Sequence, residues 1–194
     1  MKVEYSNCSG RRKGTVIGNF RVVSGRVVVS DPCYEIGTWC QGILEKVRKG
    51  EWVCQVSVSR EDACDRCVTE LTALRNPALD LGNPKWTEET SFEVGVDSGQ
   101  AGIFDMAHYR DDRVAQAVER LSREIICPEE PWYSLCCDRT SGSEMGAGVI
   151  PYGVVSSSGF GDGSYRCFTQ RDREGYIIGI KIVFITQVDE EAGG

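Results

Sequence analysis

Runs of β-branched residues cut by very short turns constrain this chain more than any other feature. From Thr15 to Val29 two valine-rich runs are separated only by Ser24-Gly25, which reads as a hairpin turn. Lys49-Gly50 reads as a turn between 43–48 and 51–59, and Arg173-Glu174-Gly175 as another before YIIGIKIVFITQV. Turns this short cannot hold parallel crossovers, so the strands they join are expected to be antiparallel. In WVCQVSV the period of two puts Trp52, Cys54, Val56 and Val58 on one face.

Asp31-Pro32 stops the second run, because proline has no N–H for the ladder. Residues 66–75 suit a strand through Val68, Thr69 and Thr72. The Asn-Pro steps of 76–90 predict a long loop. SFEVGVDSGQAGIFDMA predicts two short strands around Asp97-Ser98-Gly99. WYSLCCD, VIPYGVVSSS, SYRCFTQ and the isoleucine-rich run predict strands in the last third, the final one central.

One amphipathic helix is expected near 111–126. Asp111-Asp112 suits its N-terminus, Val114, Val118, Leu121 and Ile125 form an apolar stripe, and Cys127-Pro128 with Pro131 ends it. The expected fold is mainly β: a single domain over 1–194, an antiparallel sheet or β-sandwich with one helix. Tails of about 1–12 and 188–194 should fray.

Charge narrows the partners. Lys and Arg total 22 against 29 Asp and Glu, a net charge of -7, which is wrong for the basic footprint of a duplex nucleic-acid binder. No apolar run is long enough to span a bilayer and the N-terminal segment has no apolar signal core, so a soluble, cytoplasmic protein is expected. That compartment and the chain's length argue against a disulfide framework for the ten cysteines, which are expected to be reduced and to bind no metal. The pair Cys64/Cys67 has CxxC spacing, but no second CxxC or His pair completes a zinc ribbon.

The sequence offers no familiar catalytic set. His108 is the single histidine and has no G-x-S-x-G elbow to serve, so a structural role is expected of it. No Walker-type loop exists, and Gly159-Phe160-Gly161-Asp162-Gly163 leads into a strand rather than a helix, so it is no dinucleotide fingerprint. No catalytic residue, metal ligand or cofactor is assigned.

Two unusual turns remain. Residues 156–165 gather serines, glycines, a carboxylate and two aromatics, and 97–105 add two carboxylates on a glycine-rich bend. Glycines allow positive φ and close backbone approach, and successive N–H groups can form an anion-binding nest. The alternative is that both are elaborate turns. If they converge, the ligand-binding residues are Asp97, Ser98, Gly99, Asp105, Ser157, Ser158, Gly159, Phe160, Gly161, Asp162, Gly163, Ser164 and Tyr165. Phe160 and Tyr165 are expected to stack on a planar ligand and the serines to donate to its oxygens.

The blocks SGRVVVSDP (24–32), KGEWVCQVSV (49–58), FEVGVDSGQAGIFD (92–105), VVSSSGFGDGSY (154–165) and GYIIGIKIVFI (175–185) occur in that order. Over about 15–185 the chain resembles an uncharacterised bacterial and phage family, the domain of unknown function numbered forty-two forty-one. The resemblance implies a single mainly β domain, cytoplasmic or phage-encoded, and transfers no catalytic residue. Three functions stand open. The first is a non-enzymatic binding protein for a small polar ligand, a nucleotide-derived signal being one form, as in a phage anti-defence sponge. The second is a protein-interaction module of immunity or inhibitor type whose acidic surface meets a basic partner. The third is a metal-dependent hydrolase using Asp97, Asp105 and Asp162.

Overall fold

The computed structural model describes residues 14–59, 67–75, 85–122 and 129–186, with the side chains of 119–122 left aside. The expected tails, Cys64, the Cys127-Pro128 stop and most of the 76–90 loop lie outside these residues.

Two antiparallel sheets form the fold, which is mainly β as expected. The larger holds β1 (Thr15–Val22), β4 (Gly50–Ser59), β5 (Cys67–Leu74), β12 (Ile177–Val183) and β11 (Gly163–Arg171) in that order. The short β6 (Thr87–Glu88) and β7 (Val94–Val96) both pair with β11. The smaller sheet runs β3 (Gly42–Leu44), β2 (Val27–Ser30), β8 (Gln100–Asp105), β10 (Gly153–Ser157) and β9 (Ala147–Ile150). Helices α1 (Asp112–Ser122) and α2 (Pro131–Thr140) and a 3-10 turn at Met106–His108 complete the described elements.

Several turns read as hairpins are instead crossings between sheets. Ser24-Gly25 carries the chain from β1, paired with β4, to β2, paired with β3 and β8. Lys49-Gly50 takes it back from β3 to β4, and Asp97-Ser98-Gly99 joins β7, on β11, to β8, on β2 and β10. A short turn reverses a strand only if the two flanking ladders bond to each other; here each flank finds a better partner in a different layer. Arg173-Glu174-Gly175 is a true hairpin, closed by Gly175 N–H donating to Asp172 O at 3.0 Å.

WYSLCCD, expected as a strand, is helical. Pro131 begins α2, where its missing N–H costs nothing and its fixed φ suits the first turn. Trp132, Leu135, Cys136 and Thr140 then fall on one buried face. In β4, Trp52, Cys54 and Val56 point inward as expected, but a register shift at Ser57/Val58 turns Ser59 inward and leaves Val58 half-buried.

The main core lies between the sheets: Trp52, Cys54 and Val56 meet Leu71, Ile180, Ile182, Ile103 and Val154. A second cluster forms where α1 and α2 cover the smaller sheet, with Phe104, Val155 and Ile150 against Trp132, Leu135, Cys136 and Ala115. β8 is therefore buried on both faces. Gly102 and Gly153 flank the Phe104 ring so closely that a Cβ at either would overlap it. Such a ring, within a packed cluster, would cost about 3–5 kcal/mol to truncate to alanine.

Candidate functional site: three joined loops at one end

Three connections meet at one end of the sandwich: the β2–β3 loop (31–41), the β7–β8 crossing (97–99) and the β10–β11 crossing (158–162). Asp31 joins the first two. It is fully buried, and its carboxylate accepts the N–H groups of Asp97 at 2.9 Å, Ser98 at 2.8 Å and Cys33 at 2.8 Å, and the Ser98 hydroxyl at 2.7 Å. Gly95 N–H donates to Cys40 O at 3.1 Å, and Ser158 N–H to Gly99 O at 3.0 Å, which ties in the third loop. Gly163 pairs with Val96 beside it.

The 31–41 loop has fixed supports. Gln41 Oε1 accepts the Gly37 N–H at 2.9 Å and the Thr38 N–H at 3.1 Å. The Tyr109 hydroxyl donates to Tyr34 O at 2.7 Å, and Arg110 donates to Pro32 O at 2.9 Å and Cys33 O at 3.1 Å. Carbonyls held by so many donors make a preorganised loop, costing little entropy when something binds.

That loop displays its apolar side chains outward. Trp39 is 90% exposed and Ile36 49%, and Phe160 of the third loop is 64% exposed. Asp97, Asp162 and Glu35 are exposed beside them in the same three segments.

The expected site residues divide. Asp97, Ser98, Gly99 and 157–165 come together at this end. Asp105 does not: it ends β8, about 17 Å along the strand from Gln100. There its buried carboxylate accepts Val23 N–H and Ser24 N–H, each at 2.8 Å, the Ser24 hydroxyl at 2.9 Å and Ala107 N–H at 3.0 Å. It fastens the Ser24-Gly25 crossing.

The hydroxyls are largely spent on the loops themselves. Ser158, buried, donates to Gly161 O at 2.8 Å, and the Tyr165 hydroxyl reaches the same oxygen at 2.6 Å. The Tyr165 ring stands edge-on to Phe184, with centroids 5.2 Å apart, rather than open for stacking. Gly159 (φ 64°) and Gly161 (φ 106°) adopt the left-handed backbone that glycine tolerates best. Ser157 is half-buried in the ladder opposite Gln100, while Asp162, Gly163 and Ser164 are exposed.

A family model described as a protein of unknown function (DUF4241) matches residues 20–182. The chain belongs to the DUF4241 family. No curated protein and no solved structure matches it.

Beneath the loops this DUF4241 protein holds polar groups that burial keeps neutral. The Cys33 thiol is pushed up to about 12, first by burial and then by its hydrogen bond with Asp31. Burial, with the neighbouring Asp97 and Cys40, also pushes the Tyr34 phenol up. Neutral thiols and phenols are poor nucleophiles and poor metal ligands. Among the described residues no group of three His, Cys, Asp or Glu side chains is placed to hold a metal ion, and no helix is long and apolar enough to cross a membrane.

Thiol chemistry departs from expectation at one position. Cys67 is disulfide-bonded, whereas among the described residues Cys33, Cys40, Cys54, Cys136, Cys137 and Cys167 are free. Cys54 and Cys167 lie mid-strand in the core, and Cys67 opens β5. His108 has structural neighbours: its ring stacks on Tyr152 at 3.8 Å, and Nδ1 lies 3.5 Å from Asp111 Oδ2.

Proposed function

We propose that this protein is a non-enzymatic binding module that engages a protein partner through the three-loop end. One observation carries the reading. The loops are fixed from beneath by Asp31, Gln41, Tyr109 and Arg110, yet they hold three of the large apolar side chains, Ile36, Trp39 and Phe160, out in water. Holding a tryptophan in solvent on a rigid loop has no folding benefit, and exposed aromatics ringed by polar groups are the usual energetic centre of an interface.

A small polar ligand, including a nucleotide-derived signal taken up by an anti-defence sponge, is the competing reading. It draws on the exposed backbone and Asp162 of the 159–163 turn, but Ser158 and Tyr165 already donate inside that turn. The hydrolase reading has less support, because Asp105 stands away from Asp97 and Asp162. A cytoplasmic setting belongs to the same proposal; it draws on the six free cysteines among the described residues, and the Cys67 disulfide weighs against it.

The test is paired. Tagged wild-type protein and the Trp39→Ala/Phe160→Ala variant are used to capture proteins from the native cell extract, and small molecules released by heating the wild type are analysed by mass spectrometry. A protein retained by the wild type and lost by an equally stable variant supports the reading. A stoichiometric small molecule released instead would replace it with the small-ligand reading.

A further inference from the structure

We infer that the partner face received by the three loops is cationic: a basic protein surface that sets arginine or lysine side chains over Trp39 and against Asp97 and Asp162. The inference rests on the binding-module reading above and assigns the chemistry of its partner.

The composition of the loops carries it. Segments 31–41, 97–99 and 158–163 contain Asp31, Glu35, Asp97 and Asp162 and not one lysine or arginine. Arg110, which reaches in from outside, is spent on the Pro32 and Cys33 carbonyls and on Glu35, 3.1 Å away. Asp31 is buried under its four donors. Asp97, which accepts from the Tyr34 hydroxyl, and Asp162 are exposed, and among the described residues neither forms an ion pair within 4 Å. With Arg110 matched against Glu35, the exposed charge left on these loops is negative, and a net negative patch around exposed aromatics suits a surface of the opposite sign.

Trp39 adds to this. An indole is the best aromatic face for a cation, and at 90% exposure this ring has no partner of its own covering it. An arginine across the interface would satisfy the ring and a carboxylate together, since its planar guanidinium both stacks and pairs. A second copy of this chain fits poorly, because a two-fold contact here would set this acidic patch against the same patch of the other copy.

The probe is fluorescein-labelled octa-arginine, titrated at low salt by fluorescence anisotropy, with octa-glutamate as control. Wild type, Trp39→Ala/Phe160→Ala, Glu35→Gln/Asp97→Asn/Asp162→Asn, and the charge-matched control Glu51→Gln/Glu88→Gln/Glu174→Gln are compared, each checked for an unchanged melting temperature. The expected result is binding by wild type that weakens about tenfold or more in the loop triple variant and the aromatic variant, and stays near wild type in the control. Quenching of Trp39 emission should also be more efficient with caesium than with iodide, and lose that preference in the loop triple variant. Equal loss in the two triple variants would show general attraction to an acidic protein and overturn the inference, as would equal binding of octa-glutamate. If capture from extract succeeds through Trp39 and Phe160 while this titration fails, the charge assignment alone falls. If capture is insensitive to those two residues, the binding-module reading falls.

Discussion

The Asp31 carboxylate accepts the Ser98 N–H at 2.8 Å across 67 residues of sequence. With the Asp97 N–H on the same oxygen, it holds the start of the β7–β8 crossing against the start of the β2–β3 loop. Removing it leaves three backbone donors without their acceptor, each worth about 1–3 kcal/mol when buried, partly offset by water at this edge. Asp31→Ala should therefore lose about 3 kcal/mol in urea unfolding, and Asp31→Asn less. A neutral Asp31→Ala would show that the loops are joined by something else.

Asp105 and Asp162, equivalent as expected site carboxylates, should behave oppositely. Asp105→Asn loses charge-assisted bonds to Val23 and Ser24 and should destabilise by about 2 kcal/mol without touching recognition. Asp162→Asn, on the surface, should leave the melting temperature unchanged and weaken partner binding by about 0.5–1 kcal/mol. Melting curves of the two variants decide it.

Thiol labelling should separate the cysteines by burial. With Cys33 pushed up to about 12, foremost by burial, it stays in the thiol form at pH 8. Burial likewise raises Cys54, Cys136 and Cys167. Iodoacetamide under native conditions should spare all four, and mass mapping in denaturant should label them while Cys67 waits for reductant. Labelling of Cys67 without reductant would contradict its disulfide.

The start of α1 gives a pH dependence. The Arg113 guanidinium foremost, with the Arg113 N–H and His108 beside it, holds the Asp111 carboxyl down to about 2 from 3.8. A carboxyl depressed on folding adds stability that is complete above its unfolded value and disappears as pH falls through its folded one. The stability gap between wild type and Asp111→Asn should hold from neutral pH to about 4, then close towards 2. A gap that is constant over that range would contradict the pairing.

The strands were largely legible because period-two alternation survives in sequence: Trp52, Cys54 and Val56 announce their face without help. Which strand each one pairs with was not. Ser24-Gly25 and Lys49-Gly50 look like hairpin turns because the local chemistry of a reversal and of a sheet change is the same. Only long-range ladders such as β2 with β8 distinguish them. α2 was hidden because Pro131 signals both the stop of one helix and the start of another. At the candidate site, the glycine-rich turns at 97–99 and 158–163 were legible as one cluster, but Asp31 and Trp39 were not. Asp31 read as a strand stop, and its partners at 97 and 98 are distant in sequence. Trp39 carried one available signal: a large aromatic in a proline-initiated loop with no alternation to bury it.

The most direct test of the three-loop surface is the affinity of the captured partner for wild type and for Trp39→Ala/Phe160→Ala, measured by isothermal titration on proteins of equal melting temperature. Interface aromatics of this kind cost about 2 kcal/mol or more each on truncation, so the double variant should bind at least about a hundredfold more weakly. Unchanged affinity would place recognition elsewhere on the fold and contradict the account.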